Sequence, residues 1–125
     1  MEKEITGLNP KELWEIFHQM TQIQEWAVNY GKNLGLETVK DEAGNVIIRK
    51  PATPGKENVK GVILQGQRDM VPQKNSDKQH DFTTDPIETI VEEEWVRANG
   101  TTLGADNGIG VSAALAVLAS NTIKH

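Results

Sequence analysis

Apolar residues along the chain follow a helical period first, then an alternating one, then a helical one again. Leu13, Ile16, Phe17 and Met20 fall on one helical stripe, and Asn9-Pro10-Lys11-Glu12 ahead of them supplies an N-cap, a first-turn proline and an acid placed to close a capping box. Ile23, Trp26, Ala27, Tyr30 and Leu34 keep the same period, which predicts a second helix over residues 22–34 with Gly35 as its stop. Thr21-Gln22 offers neither Gly nor Pro between them, so one continuous helix and two helices with a turn both remain open. His18 lies off the first stripe and reads as a surface residue.

From Leu36 the period falls to two. Leu36 and Thr38, then Val46, Ile47 and Ile48, flank Asp41-Glu42-Ala43-Gly44-Asn45 and predict a β-hairpin. Residues 59–64, Val-Lys-Gly-Val-Ile-Leu, are short, apolar and β-branched, the composition of a central strand covered on both faces. That strand is expected to end at Gln65-Gly66-Gln67-Arg68-Asp69, which matters because open α/β sheets present their ligand-facing residues beyond the carboxyl ends of strands. Residues 72–86 carry Lys74, Asp77, His80, Asp81 and Asp85 with Phe82 nearly alone among them as an apolar side chain, so they read as a surface loop. Residues 87–91 and 95–98 predict a second hairpin, whose tip Glu92-Glu93-Glu94 reads as a solvated charge run rather than as metal ligands.

The second hairpin leads into Thr101-Thr102-Leu103-Gly104-Ala105-Asp106-Asn107-Gly108-Ile109-Gly110. Three glycines leave little bulk around Asp106, so the backbone can turn sharply and another group can approach. The following residues 111–120 are Ala-rich, strong in helix propensity and apolar nearly all round, as in a helix packed inside a larger body. A carboxylate at the entry to such a helix needs a ligand, a metal or the helix N-terminus as partner, unless it is a satisfied turn residue. A phosphate cradle is disfavoured, since no Lys-Ser/Thr follows the glycines and Asp106 repels an anion.

Composition narrows the function. The 125 residues suit one domain, 1–125, and a net charge of −5 argues against nucleic acid and against an anionic membrane surface, both of which need clustered Lys and Arg. Without cysteine, a metal site has only carboxylates and histidines to draw on. The charged Met1-Glu2-Lys3-Glu4 start and the lack of a long apolar run predict no signal peptide, no membrane span and a cytoplasmic protein.

Asp69 after one strand and Asp106 after another are two carboxylates at expected strand ends, the arrangement a hydrolytic two-metal site uses. The stretches around them, residues 64–75 (Leu-Gln-Gly-Gln-Arg-Asp-Met-Val-Pro-Gln-Lys-Asn), 80–87 (His-Asp-Phe-Thr-Thr-Asp-Pro-Ile) and 100–110, resemble the aminoacyl-histidine dipeptidases, or cytosolic non-specific dipeptidases. Residues 7–10 and 48–55 agree as well. The resemblance implies a three-layer, aminopeptidase-like α/β catalytic domain with a mixed sheet, two zinc ions and hydrolysis of Xaa-His and other dipeptides. It implies Asp106 as the carboxylate bridging both ions. Asp69 becomes the catalytic-site residue that holds a metal-ligand histidine in its tautomer, a role with a clear physical basis.

That histidine's position is Gln67, whose neutral amide is a poor zinc ligand, and Arg68 adds a fixed positive charge next to it unless its side chain turns away. Family members are several times longer. Their glutamate base, remaining ligands and second domain fall beyond His125, and a short turn between their first two helices has no counterpart near Ile23-Gln24. The chain is therefore expected to be an incomplete N-terminal portion of a dipeptidase, inactive alone and prone to self-association through uncovered surfaces. The competing expectation is a non-catalytic α/β module that keeps the fold for interaction or assembly.

Overall fold

The computed structural model describes residues 23–125; the capped first helix expected over residues 9–20, His18 and the Thr21-Gln22 join lie outside them. The described elements are α1 (Ile23–Asn33), β1 (Glu37–Lys40), β2 (Val46–Arg49), β3 (Thr89–Glu92), β4 (Trp95–Ala98) and α2 (Ala105–Ala119).

Helix α1 forms as its period predicts. Ile23, Ala27 and Gly31 are buried, and Trp26 stacks on Tyr30 with ring centroids 4.9 Å apart. Its end is a Schellman closure: Leu36 N–H donates to the Gly31 carbonyl at 3.1 Å and Gly35 N–H to the Lys32 carbonyl at 2.9 Å. Gly35 sits at φ 71, where a side chain is strained, which is why the helix stops there. Strands β1 and β2 pair antiparallel from Glu37↔Arg49 to Lys40↔Val46. Their turn is closed by Asp41, which accepts from Asn45 N–H at 2.7 Å and from Asn45 Nδ2 at 2.8 Å. These donors, the Asn45 side chain foremost, hold the Asp41 carboxyl below its usual range.

The second hairpin pairs Thr89↔Ala98 through Glu92↔Trp95, with a bidentate Arg97–Glu92 contact at 2.7 and 2.9 Å on its exposed side. All three tip glutamates are exposed, as a solvated charge run should be. The polar segment 72–86 is a loop, laced to the chain just after β4: Asn75 N–H donates to the Gly100 carbonyl at 2.8 Å, and Thr102 N–H to the Gln73 carbonyl at 2.9 Å. Its lone aromatic, Phe82, packs inward against the small core of Ile23, Ile87 and Leu115, which Trp26, Tyr30, Ile48, Met70, Val111 and Leu118 also cover.

Two sequence expectations fail. Residues 59–64 are not a strand among the described residues, and Val59, Val62, Ile63 and Leu64 are 60%, 82%, 91% and 55% exposed. Consequently the strands among the described residues form two separate two-stranded antiparallel ribbons, not one mixed sheet; the α/β class stands. A strand needs a neighbour to bond its main chain, and β propensity supplies none.

Candidate functional site

The site expected from sequence lies where residues 65–69 meet the entry to α2. Contact between them is close at Gly66: a methyl built there would lie 3.0 Å from Val111 Cγ2 and 3.5 Å from Asn107 Nδ2. The backbone of residue 66 thus approaches the helix start to within a distance that only glycine allows comfortably.

The entry to α2 is irregular in a way the sequence did not disclose. Gly104 adopts φ 79, Asp106 and Asn107 have non-helical dihedrals, and the Asp106–Asn107 peptide is cis. Asn107 Oδ1 accepts from Gly110 N–H at 3.1 Å, so the side chain of Asn107 caps the regular helix that follows. The same amide fills the space beside Gly110, where a methyl would lie 2.6 Å from Asn107 Nδ2. The sequence reading set the helix start near Asn107 but missed its capping role; Asn three residues before Gly110 was the available signal. Asn107→Ala is expected to lower stability by about 1 kcal/mol, the usual worth of such a cap, while Asn107→Asp retains most of it. Urea denaturation followed by helical circular dichroism measures the difference, and equal losses for both variants would contradict the capping assignment.

Arg68 Nη2 donates to the Gly44 carbonyl, which also accepts from Gln24 Nε2 at 2.8 Å. Its charge is therefore directed at the first hairpin turn. Asn45, Gly66, Gln67, Arg68 and Asp69 together line a shallow open depression. Gln67, Asp69 and Asp106 are exposed, and among the described residues no hydrogen bond or ion pair engages their side chains. Exposure removes the need, argued from the apolar helix, for a partner to Asp106: water solvates it. Ile109 on that helix is itself 53% exposed.

The donor chemistry does not fit zinc. Two carboxylates and an amide fall short of four good ligands, and among the described residues no three His, Asp or Glu side chains gather into a metal-holding group. His80 is turned into packing, its ring edge-on to Phe82 at 4.6 Å, with Nε2 buried and without a hydrogen-bond partner among the described residues.

No family model matches the chain. A curated relative, the cytosol non-specific dipeptidase of Escherichia coli, is 49% identical over 132 residues, covering 98% of this chain and 27% of that protein. The crystal structure of an aminoacylhistidine dipeptidase from Vibrio alginolyticus superposes with a TM-score of 0.88 at 50% identity, again over 98% of this chain and 27% of that one. Sequence and fold both match part of a dipeptidase. The chain spans about a quarter of the length of either dipeptidase. The 132 aligned residues exceed the chain's 125, so the Escherichia coli dipeptidase carries residues without counterparts here, in keeping with the short turn expected to be missing. The dipeptidase likeness carries the α/β assignment beyond the two small ribbons, because the superposition follows nearly the whole chain.

Proposed function

We propose that this chain carries part of a dipeptidase metal-site wall, with Asp106 and Asp69 in the bridging and histidine-orienting positions and Gln67 where the histidine ligand is lost. It does not hydrolyse dipeptides on its own. The observation that carries this reading is the near-complete coverage of the chain at about half identity against only 27% coverage of the dipeptidases. In a complete site, zinc would act as Lewis acid and lower the pKa of bound water, and dipeptides, Xaa-His among them, would be the substrates. The present donor set does not support that chemistry, so no hydrolytic step is assigned to these residues alone. The cytosolic relative supports a cytoplasmic location; among the described residues no helix is long and apolar enough to cross a membrane. The acidic balance, −5, speaks against nucleic acid as partner.

The second reading, a non-catalytic α/β module, is favoured by one particular feature: Arg68 and Gln24 bind the hairpin carbonyl and stabilise the segment without any metal. Zinc titration and dipeptide turnover separate the two. The wild-type chain is expected to bind zinc weakly and to show no turnover. Gln67→His should raise zinc affinity by about 10 to 100-fold, because imidazole coordinates well and can donate its second N–H to Asp69. Turnover should remain absent in both proteins, since no positioned base accompanies the ligands. Unchanged zinc affinity in Gln67→His would remove the lost-ligand assignment and leave the module; turnover by either protein would refute incompleteness.

A further inference from the structure

Residues 65–69 and the turn that carries Asp106 come from distant parts of the chain, and no hydrogen bond among the described residues engages the main chain of residues 60–70. Side chains and packing hold the segment instead. Arg68 donates to the Gly44 carbonyl, Met70 packs against the core, and Gly66 lies on Asn107 and Val111 at the start of α2. The Gly66 contact is the one made at the turn that carries Asp106.

That contact is fitted from both sides. Gly110 N–H donates to Asn107 Oδ1 at 3.1 Å and so anchors the amide. A methyl built on Gly110 would lie 2.6 Å from Asn107 Nδ2 and 2.7 Å from its Cγ, and one built on Gly66 would lie 3.5 Å from the same Nδ2 and 3.0 Å from Val111 Cγ2. Two glycines from separate segments thus flank one planar amide. Capping needs only the Gly110 bond, so the seat under Gly66 is additional to it. A side chain fixed by a hydrogen bond on one side and packed on the other holds its neighbour at a set distance, because close-packed contacts yield little.

We propose that Asn107 is a positioning residue as well as a cap: its amide, seated between Gly66 and Gly110, sets the spacing between the Gln67–Asp69 stretch and Asp106. What that spacing serves rests on the dipeptidase reading, in which positions 67, 69 and 106 belong to one metal site. The spacing itself does not depend on that reading.

The chain has no cysteine, so Leu64→Cys/Ile109→Cys carries one pair of spin labels at positions that are 55% and 53% exposed. Dipolar electron spin resonance reads their separation. Asn107→Ala should widen the distance distribution, and Gly66→Val, which forces bulk against Val111, should lengthen its mean. Asn107→Asp keeps the shape and the acceptor and should restore the wild-type distribution. In the Gln67→His protein, Asn107→Ala should lower zinc affinity by about 10-fold, a usual loss when a group that orients metal ligands is removed. Helical circular dichroism equal to wild type shows each variant to be folded; if Gly66→Val unfolds, the two Asn107 variants still decide. A distribution unchanged in Asn107→Ala overturns the proposal and leaves Asn107 a cap alone, and one widened equally in Asn107→Asp overturns it as well. Undiminished zinc affinity beside a widened distribution overturns the role at the metal site. If Gln67→His gains no zinc affinity, the dipeptidase reading falls, and the label distances alone judge the spacing.

Discussion

Ile87→Ala is expected to destabilise the fold by about 2 to 5 kcal/mol, the range for truncating a large aliphatic side chain inside a core. Ile87 is 0% exposed, the largest side chain so completely enclosed, and it joins Ile23 of α1 to Leu115 of α2. Few residues share its burden. Only four hydrophobic side chains, Ile23, Ala27, Ile87 and Leu115, are buried among the described residues, so there is little second core to support a collapse around the void. A native stability of about 5 to 15 kcal/mol leaves a small domain exposed to a loss of that size. The fall in urea midpoint, followed by near-ultraviolet signals from Trp26 and Tyr30, measures it. A midpoint within error of wild type would show that Ile87 is not the centre of packing.

Gly31→Val should cost about 3 kcal/mol, the upper end of the usual overpacking range. Replacing a helical glycine ordinarily gains up to about 1 kcal/mol of propensity, so the sign here rests on packing. A Cβ at residue 31 would overlap Thr38 Oγ1, the hydroxyl that donates to the Leu36 carbonyl, and meet Ile48 Cδ1 and Cγ1 at 3.1 Å each. The first ribbon lies directly on this turn of α1, and β-branching adds two methyls where one already fails to fit. Relief should come from the other side of the contact. Thr38→Ala combined with Gly31→Ala is expected to lose less than the sum of the two single changes, a coupling read from a double-mutant cycle. Additive losses would mean that residues 31 and 38 do not press on each other.

Elements whose hydrogen bonds are local were legible residue by residue. Helix α1, its glycine stop and both hairpins follow from period, turn residues and short sequence separation, and the structure sets their ends within one to three residues of the expected ones. The glutamate tip was read correctly because three adjacent like charges favour water over burial. Asn107 as a cap is present in the sequence only as a spacing, three residues before Gly110, and depends on the irregular backbone at Asp106 and Asn107.

Residues 59–64 show where sequence stops deciding. Val-Lys-Gly-Val-Ile-Leu states a preference for burial in a sheet, but a strand is a relation between segments, and the partner must be supplied by tertiary or quaternary structure. The same holds for Arg68: its sequence position suggested a charge beside a metal site, and only the folded path of the first hairpin brought the Gly44 carbonyl within its reach. Likewise the apolar stretch after Asp106 fixed a helix but not its cover, so Asp106 faces water instead of a buried partner. By itself, then, the sequence determined the two helices and two hairpins of the described residues, the acidic balance and the dipeptidase likeness, each a local or compositional property. Tertiary structure alone decided which residues meet at Gly66, where Arg68 directs its charge and that residues 59–64 join no sheet among the described residues, because those depend on contacts between segments far apart in the chain.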